Sequence, residues 1–470
     1  MNFIIIVSDT LRRDFLGCYG NEWISTPHID RFAERAQVFD RAYSLSFPTV
    51  PHRRDLLTGR FTATYTGWAP LGPDEVVLAQ VLSDAGYTTM MIADCPHILE
   101  TGYYYERGFD GWEWIRGQES DRWKTSPEAP GPRCDPAKVR GGDRLSKLHW
   151  RVSARWRYEK DRFVARTMAT ASEWLEDNYR SKNFFLYVDT FDPHETWDAP
   201  QWYVDMYDPG YTGQVVDYPL YAYTKDFLTE AELKHCRALY AAEVTLVDRW
   251  TGRLLDKIAD LGLLDDTMVL FTTDHGFLHG EHGIMGKALI GRDDVFHYIP
   301  LYEEINHIPW IVHVPGGAPA RRKAIVQPHD IMPTILDLAA VEVPPTVHGE
   351  SFAGVLQGKT DAHREFAVSS PNVKEAITIA TVVKGRWAAA IRPRYGTDEK
   401  ALDKAVDGRA KVQAEAEGGT DLLFDVQADP AQAHDVAAKN PKVLTELRAD
   451  FIAALEAAGT DPASVDAWRA

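Results

Sequence analysis

The stretch SFPTVPHRRDLLTGR, residues 46–60, carries the residue types of a site for an anionic group. Pro51 suits the first turn of a helix and Gly59 suits its end, so the spacing predicts a short helix with Thr49 at its N-terminus. The backbone N–H groups and the dipole of a helix favour an anion at that end. Arg53, one turn further on, can reach the same oxygen or the bound anion. Because a lone threonine before a helix is more often only a cap, other residues must support a chemical role.

Four short apolar runs of the chain end on acids or histidines. The residues at these ends are Asp9, Asp94 with His97, Asp192 with His194, and Asp274 with His275. Continuous aliphatic runs of this length are typical of strands buried on both faces of a parallel sheet. Because ligands bind outside the carboxyl ends of the strands in such sheets, we expect these side chains to converge.

The segments between these runs have the apolar spacing of helices. One of them, CRALYAAEVTLVDRWTGRLLDKIADLG, has an apolar stripe at helical spacing and ends at Gly262. The alternation of strands and helices predicts a doubly wound α/β domain. We assign residues 1–364 to this catalytic domain and residues 365–470 to a smaller C-terminal α+β subdomain, with short antiparallel strands and a terminal amphipathic helix.

Two segments, at about 120–164 and 201–227, interrupt this pattern with Gly, Pro, Trp and Tyr. Their composition predicts loops inserted over the catalytic domain. Such loops are candidates for a lid or for a contact in a homo-oligomer. We expect them to form the walls of the substrate pocket.

The charge and the cysteines of the chain exclude several classes of protein. A formal net charge of −18 over 470 residues argues against nucleic acid or an anionic membrane as a main partner. The four cysteines include no C-x-x-C pair, so neither a zinc knuckle nor a redox dithiol is predicted. The N-terminus lacks the pattern of a signal peptide, and no apolar run approaches the roughly 18 residues of a membrane span. We therefore expect a cytoplasmic protein with no membrane partner.

Seven segments of the chain occur in an order that is typical of one enzyme family. They are IIIVSDTLRRDFLGCYG, TVPHRRDLLTGR, DPH, DHGFLHGEHGIMGK, LYEE with IPWIVHVPGG, DIMPTILDLA, and LLFDVQADPAQAHDVA. In this order they resemble the sulfatases of the alkaline phosphatase superfamily, and the resemblance covers most of the chain. It implies an α/β fold with a large doubly wound mixed sheet sandwiched by helices and a smaller C-terminal α+β subdomain.

The resemblance also implies a metal site and a set of catalytic residues. One divalent metal ion is expected on Asp9, Thr49, Asp274 and His275. Oxygen ligands with one imidazole suit Mn²⁺, Ca²⁺, Zn²⁺ and Mg²⁺. The residues that match catalytic positions of the family are Thr49, Arg53, His97, His194 and Lys287. Thr49 stands at the position of the nucleophile, and either of the two histidines could protonate the leaving group.

Three positions depart from the sulfatase pattern. Sulfatases of this type use an aldehyde made from Cys or Ser at the Thr49 position, and threonine cannot follow that oxidation because its β-carbon already bears a methyl group. The usual second acid after the first strand is Thr10 here. The lysine of the family's GKWH motif is replaced by Asp94 or Cys95. The aldehyde mechanism is therefore closed to this chain.

The four expected metal ligands also resemble one metal site of the nucleotide pyrophosphatase/phosphodiesterase branch, whose nucleophile is a threonine. That branch holds a second metal with an Asp-x-x-x-His pair and a later histidine. Neither Asp189 nor Asp192 has this spacing, although His348 lies in the region of the later histidine. We therefore expect one metal ion and not two.

These residues lead to one working hypothesis and three alternatives. The hypothesis is a hydrolase of a small anionic ester, in which Thr49 attacks a phosphodiester or a phosphonate monoester and forms a phosphothreonine that water hydrolyses. The first alternative is a sulfatase that uses Thr49 directly on a sulfate ester. The second is a transferase that passes the group to another alcohol. The third is a catalytically silent homologue that only binds an anion or a partner.

Overall fold

The computed structural model of the protein describes residues 1–127, 130–141, 144–290, 296–375, 378–394 and 420–469. The strands of the central sheet are β1 (Asn2–Ser8), β2 (Gln37–Ala42), β3 (Thr88–Ala93), β4 (Gly111–Trp114), β5 (Phe184–Thr190), β7 (Thr267–Thr272), β12 (Trp310–His313) and β13 (Ala320–Val326). The short strands outside it are β6 (Ala222–Tyr223), β8 (Leu278–His279), β9 (Ile284–Gly286), β10 (Leu289–Ile290) and β11 (Phe296–His297). The strands of the C-terminal sheet are β14 (Phe366–Ser369), β15 (Ala380–Lys384), β16 (Trp387–Ile391) and β17 (Leu422–Asp425).

The α-helices lie between and after these strands. Those of the first half of the chain are α1 (Pro27–Ala33), α2 (Thr49–Thr58), α3 (Leu78–Asp84), α4 (Pro96–Leu99), α5 (Arg144–Ser153) and α6 (Phe163–Asn178). Those of the second half are α7 (Gln201–Val204), α8 (Glu230–Asp260), α9 (Glu303–Asn306), α10 (Ile331–Leu338), α11 (Ala353–Leu356), α12 (Pro441–Ala457) and α13 (Pro462–Arg469). Among the described residues, none of the helices has the length and apolar character needed to cross a membrane.

The central sheet has eight strands in the order β13-β2-β12-β7-β1-β5-β3-β4. Strand β1 pairs in parallel with both β5 and β7, and β3 pairs in parallel with β5. Strand β12 is antiparallel to its neighbours β7 and β2, so the sheet is mixed. The four apolar runs that end on acids or histidines are β7, β1, β5 and β3, which are adjacent and parallel. Their carboxyl ends therefore meet at one edge of the sheet.

Helices cover both faces of this sheet, as the doubly wound architecture predicts. On one face, α1, α6 and α8 pack on alternate aliphatic side chains of the strands, such as Ile4 and Ile6 of β1. On the other face, α2, α3 and α10 pack on the intervening positions, such as Ile5 and Val7. Because both faces are buried, β1, β5 and β7 are apolar except at their ends.

Two of the helices have the ends that the sequence predicted. Helix α2 begins at Thr49 and stops at Gly59, which has a φ of +66°. Helix α8 ends at Asp260, and Gly262 follows with a φ of +69°. A left-handed backbone directly after a helix favours glycine, because the residue has no Cβ to clash.

The C-terminal residues form a second, smaller layer of structure. Strands β14 to β17 make a four-stranded antiparallel sheet. Helices α12 and α13 cover one side of it with Leu447, Phe451, Leu455 and Trp468. The predicted antiparallel strands and terminal helix are therefore present. The inserted segments contain α5, α7 and β6, and 128–129 and 142–143 lie outside the described residues.

Candidate active site

Asp9, Asp274 and His275 lie together at the carboxyl ends of β1 and β7. Their ligand atoms all lie within 4.8 Å of one another, and all three side chains are buried. The backbone N–H of Asp9 donates to the carbonyl of Thr190 at 2.9 Å, which continues the β1–β5 pairing past the end of the strand. The parallel pairing of the strands therefore brings two acids and an imidazole, far apart in the chain, to one point.

The ring of His275 is fixed in a form that suits a metal ligand. Its Nδ1 lies 3.0 Å from the carbonyl oxygen of Gly276, and a carbonyl can only accept, so Nδ1 carries the proton. The lone pair of Nε2 then faces the two acids, with Lys287 Nζ 3.3 Å away. Burial lowers the pKa of His275 well below its usual range, and the charge of Lys287 adds to this effect. The imidazole is therefore neutral, as a metal ligand must be.

Arg53 joins the two acids of this group to a third. Its Nη1 lies 2.9 Å from Asp9 Oδ2 and also pairs with Asp274. Its Nε and Nη2 donate to the two carboxylate oxygens of Asp189 at 3.0 and 2.9 Å. The side chains of all four residues are fully buried. One guanidinium therefore holds three carboxylates out of water, a task for which its planar set of donors is suited.

The two acids of the group differ in their pKa. Burial and the charge of Asp274 raise the pKa of Asp9 well above its usual range. Burial acts in the same direction on Asp274, but its interactions with His275 and with the charges of Arg53 and Lys287 lower its pKa well below the usual range. The site thus has one firmly ionised carboxylate and a second whose ionisation requires more positive charge.

The residues fit a divalent cation. Asp9 Oδ2 is buried and has no hydrogen bond to a described residue, although Arg53 Nη1 is close. Thr10 donates its hydroxyl to the other oxygen, Asp9 Oδ1, at 2.6 Å, and its backbone N–H donates to Asp274 at 2.9 Å. A cation between the two acids and His275 would coordinate Asp9 Oδ2 and lower the pKa of Asp9. Hard divalent ions accept this set of oxygens with one nitrogen.

Thr49 is the first residue of α2, and the start of this helix lies at the metal-ligand group. The ring of Phe47 lies 5.0 Å from the ring of His275. Arg53, one turn into the helix, contacts both the Thr49 carbonyl oxygen, at 3.4 Å, and the acids of the group. Thr49 itself is buried. The orphan N–H groups of the first helical turn therefore lie beside the cluster, where they favour an anionic oxygen.

The remaining predicted catalytic residues surround this group. Lys287 contacts His275, as described above. His194 stacks on Phe191 with ring centroids 4.1 Å apart, and His97 packs edge-on against the same phenyl ring at 5.4 Å. Helix α4, which carries His97, contacts α2. The structure thus brings all the candidate catalytic and metal-binding residues to the same edge of the sheet.

One strand-end acid, Asp94, and one histidine, His348, do not join the group. Asp94 is buried and accepts hydrogen bonds from Thr167 and the backbone of Phe191, so it connects α6 to the segment after β5. The backbone N–H of His348 donates to the Gly59 carbonyl at 2.8 Å. This contact places His348 at the far end of α2, roughly 15 Å from Thr49 for a helix of ten residues. Within the described residues, no second cluster of metal ligands is present.

Sequence reasoning missed several residues of the site. Asp189 ends β5 and binds Arg53, and the rule applied to the other strand ends could have identified it. Glu119, Arg140 and Glu195 form a buried ion-pair network beside the two histidines. No sequence signal marks these three, because their partners are set by the folding of the inserted segments.

Gly276 supports His275 from a position that has no room for a side chain. A Cβ there would lie 1.9 Å from the carbonyl oxygen of Glu304, which is backbone and cannot rotate away. We expect Gly276→Ala to destabilise the protein by about 1–3 kcal/mol and to displace His275, which lowers metal affinity. Chemical denaturation and metal titration measure the two effects. Gly131→Ala is the control, since a Cβ at Gly131 meets nothing within 4 Å. Equal stability of the two variants would contradict this expectation.

The metal content of the purified protein tests whether the cluster of Asp9, Asp274 and His275 binds a cation. We expect elemental analysis of the purified protein to show one divalent cation per chain, and Asp274→Asn to lose it, because the variant removes the firmly ionised ligand. Asp94→Asn changes a buried strand-end acid outside the cluster and should keep the metal. Equal metal content in Asp274→Asn and the unchanged protein would place the ion elsewhere.

A family model and a known relative place the chain in the same family. The family model described as Sulfatase matches residues 1–341 of the chain. An arylsulfatase of Clostridium perfringens is 27% identical over 410 residues, which covers 78% of this chain and 80% of the relative.

Two solved structures share the whole fold. The phosphonate monoester hydrolase of Agrobacterium radiobacter has a TM-score of 0.72 at 20% identity, covering 97% of this chain and 95% of its own. A protein crystallised with its substrate D-glucosamine-2-N,6-O-disulfate has a TM-score of 0.71 at 20% identity, covering 98% of this chain and 99% of its own. At this level of identity the two structures support the fold.

Proposed function

This chain belongs to the sulfatase family, and we propose that it is a metal-dependent ester hydrolase with Thr49 as nucleophile, acting on a phosphodiester or a phosphonate monoester. The observation that carries the proposal is a threonine at the first residue of α2, beside the buried group of Asp9, Asp274 and His275. The family uses an aldehyde made from Cys or Ser at this position. Threonine has a hydroxyl but cannot form that aldehyde, so direct attack by the hydroxyl is the chemistry left to it.

The charges of the site suit an anionic ester. The carboxylates of Asp9, Asp189 and Asp274 face Arg53 and Lys287, which leaves one uncompensated negative charge. A divalent cation on Asp9, Asp274 and His275 would reverse the sign and stabilise negative charge on the Thr49 oxygen and on the ester. Arg53 and Lys287 are fixed before substrate binds, so they stabilise developing charge without reorganisation.

The proposed reaction has two steps. In the first step the Thr49 hydroxyl loses its proton to solvent and its oxygen attacks phosphorus, while the bond from phosphorus to the leaving oxygen breaks and that oxygen takes a proton from His97 or His194. In the second step water attacks the phosphothreonine and gives one proton back to that histidine, and the Thr49 oxygen leaves phosphorus and takes a proton from solvent. Lys287 and Arg53 compensate the charge of the non-bridging oxygens in both steps.

Sulfate-ester hydrolysis is the second candidate function, and the family match favours it. The arylsulfatase relative and the structure with a disulfated glucosamine point to small anionic esters such as sulfated sugars. Without the aldehyde, however, release of sulfate from Thr49 would require water to attack sulfur, which is a slow step. The likeness to a phosphonate monoester hydrolase supports our preference for phosphorus.

A panel of substrates tests the choice between phosphorus esters and sulfate esters. We expect the metal-loaded protein to hydrolyse aryl phosphodiesters and phosphonate monoesters with higher kcat/KM than phosphate monoesters or aryl sulfates. Activity confined to aryl sulfates would establish the second candidate. Metal bound at the cluster without turnover of any ester in the panel would favour a homologue that only binds anions.

A further inference from the structure

The insertion at about 120–164 ends in a segment whose charge is opposite to that of the whole chain. Residues 144–166 contain eight Lys or Arg and two Asp or Glu, although the chain has a formal net charge of −18. The segment comprises α5, the 3-10 turn Glu159–Asp161 and the start of α6. Because clustered like charges repel one another, such a segment is stabilised by a partner of opposite charge.

Glu159 is the point at which this segment meets α7 and α8. Its Oε1 accepts from Trp250 Nε1 at 3.0 Å, and Arg249 Nε lies 3.0 Å from the same oxygen. Its Oε2 accepts from the hydroxyl of Tyr203, a residue of α7, at 3.0 Å. The guanidinium of Arg253 lies over the ring of Trp250 at 4.1 Å from its centroid. These contacts bring the cations of α8 next to those of the insertion.

The cations around Glu159 form a surface, which we name the basic surface. Its members are Arg155, Arg157, Lys160, Arg162, Arg249 and Arg253. Five of them are exposed, and Arg162 is half-buried. Against these six cations stand the carboxylates of Glu159 and Asp161, which leaves an excess of four positive charges. Asp256, which also belongs to α8, does not reduce this excess because it pairs with Arg31.

Cations occupy one face of the aromatic rings at the basic surface. The guanidinium of Arg162 lies over Trp156 at 5.0 Å from the ring centroid. The ammonium group of Lys160 lies over Tyr158 at 5.9 Å from the ring centroid. Less ring area is therefore left on which nucleic-acid bases could stack. The basic surface thus offers a ligand positive charge more than a stacking platform.

The charge of the remaining chain favours a polyanion of moderate charge density. Double-stranded DNA carries one charge per about 1.7 Å, so the net charge of −18 repels it more strongly than it repels a sparsely charged polymer. A flat anionic membrane meets the same repulsion over a larger area. An anionic polysaccharide spaces its charges by at least the length of a sugar, and a single chain can follow the basic surface alone.

The basic surface adjoins the candidate active site. The ring of Trp156, which lies under Arg162, packs edge-on against His149 with the centroids 5.8 Å apart. His149 Nδ1 accepts from the backbone N–H of Glu119 at 3.4 Å, and Glu119 Oε2 lies 2.8 Å from His97 Nε2. Three contacts therefore connect the basic surface to a candidate catalytic residue. A long molecule bound along the surface can reach the active site with one of its groups.

We propose that the basic surface binds a polysaccharide that carries anionic ester groups, and that this polymer is the substrate of the neighbouring active site. The substrate assignment rests on the proposed hydrolase function, whereas the binding does not. Sulfate and phosphate groups share the relevant chemistry, because a guanidinium donates paired N–H groups to the oxygens of either. A chain held at both places binds more tightly than one held at the active site alone, because the second contact is intramolecular.

Binding of labelled dextran derivatives, measured by fluorescence anisotropy, tests the surface directly. We expect dextran sulfate and dextran phosphate to bind the unchanged protein and neutral dextran not to bind. The triple variant Arg155→Gln, Arg157→Gln and Lys160→Gln should weaken the binding of both polyanions at least about tenfold at about 50 mM salt. It should also lower the slope of log Kd against log salt concentration by about two, because three cationic contacts are lost. Tighter binding of one of the two polyanions supports the proposal and identifies the ester group.

The matched control is the triple variant Lys359→Gln, Lys439→Gln and Lys442→Gln, which removes three exposed cations outside the basic surface. Both triple variants change the net charge equally, so the control separates the surface from the charge of the whole chain. Equal weakening in the two triple variants would overturn the proposal. Tighter binding of a DNA duplex, or of vesicles of anionic phospholipid, than of either dextran polyanion at the same salt concentration would also overturn it, since the surface would then fit another class of partner.

Inhibition tests whether a polymer occupies the basic surface and the active site together. Long dextran sulfate should inhibit the hydrolysis of a small aryl ester, and its inhibition constant should rise at least about tenfold in the triple variant of Arg155, Arg157 and Lys160. A sulfated disaccharide is too short to reach both places and should have the same inhibition constant in both proteins. An inhibition constant of long dextran sulfate that does not change in the triple variant would refute the substrate assignment. Turnover of no ester by the unchanged protein, with polyanion binding intact, would count against the hydrolase alone.

Discussion

Thr49→Ala is expected to lower kcat on aryl phosphodiesters by at least about 10³-fold, because the variant removes the attacking oxygen. Removal of a nucleophile is among the largest single losses in enzymes that form covalent intermediates. The side chain is small, and it begins α2 without a capping hydrogen bond. We therefore expect Thr49→Ala to fold and to bind metal as the unchanged protein does.

Thr49→Ser is the matched variant, because it keeps the hydroxyl and removes only the methyl group. It should retain activity on phosphodiesters, within about tenfold of the unchanged protein by the size of a single lost apolar contact. Rapid quenching followed by mass spectrometry should find phosphate on Thr49 during turnover. Undiminished activity in Thr49→Ala would refute the role of this residue.

Arg53→Met is expected to destabilise the protein by about 3–5 kcal/mol, because it leaves the carboxylates of Asp9, Asp189 and Asp274 buried without their cation. The same variant should lose most of its activity, since Arg53 also lies one turn from Thr49. Methionine fills a similar volume, so the loss reports the charge more than a cavity. Urea denaturation measures the stability.

Added divalent metal distinguishes an electrostatic cause of the stability loss in Arg53→Met from a packing cause. Saturating metal should restore part of the stability of Arg53→Met, by about 2.7 kcal/mol at 100 times Kd, since the ion compensates two of the three carboxylates. Arg31→Met is the control, because its ion pair with Asp256 lies at the surface and should contribute no measurable stability. A stability of Arg53→Met equal to that of Arg31→Met would contradict the buried-charge account.

The central fold followed from the sequence because its signals are local and redundant. A strand buried on both faces is mostly apolar, and the central residues of β1, β5 and β7 are. Helix α8 was predicted from its apolar stripe at helical spacing and from Gly262 at its end. Helix α2 was predicted from Pro51 in its first turn and Gly59 at its end. The C-terminal strands and helix were found by the same periodicities.

The inserted segments were not predictable in the same way. Their composition showed only that they break the α/β pattern, while α5 and the contacts of Arg140 depend on packing against the catalytic domain. Glu119 has a φ of +40°, a backbone conformation that a glutamate rarely adopts and that no sequence pattern announces. The group of residues that surrounds His97 and His194 could therefore not be predicted from the sequence.

The sequence by itself determined which residue types stand at the strand ends and that Thr49 cannot become an aldehyde. These conclusions need only the chemistry of single residues and the period of the strands. Tertiary structure decided that Arg53 pairs with three carboxylates, and that Glu119, Arg140 and Glu195 lie beside His97 and His194. The physical reason is that the charge state of a buried group depends on partners a few ångströms away in space, which here come from segments as distant in the chain as those of Asp9 and Asp274.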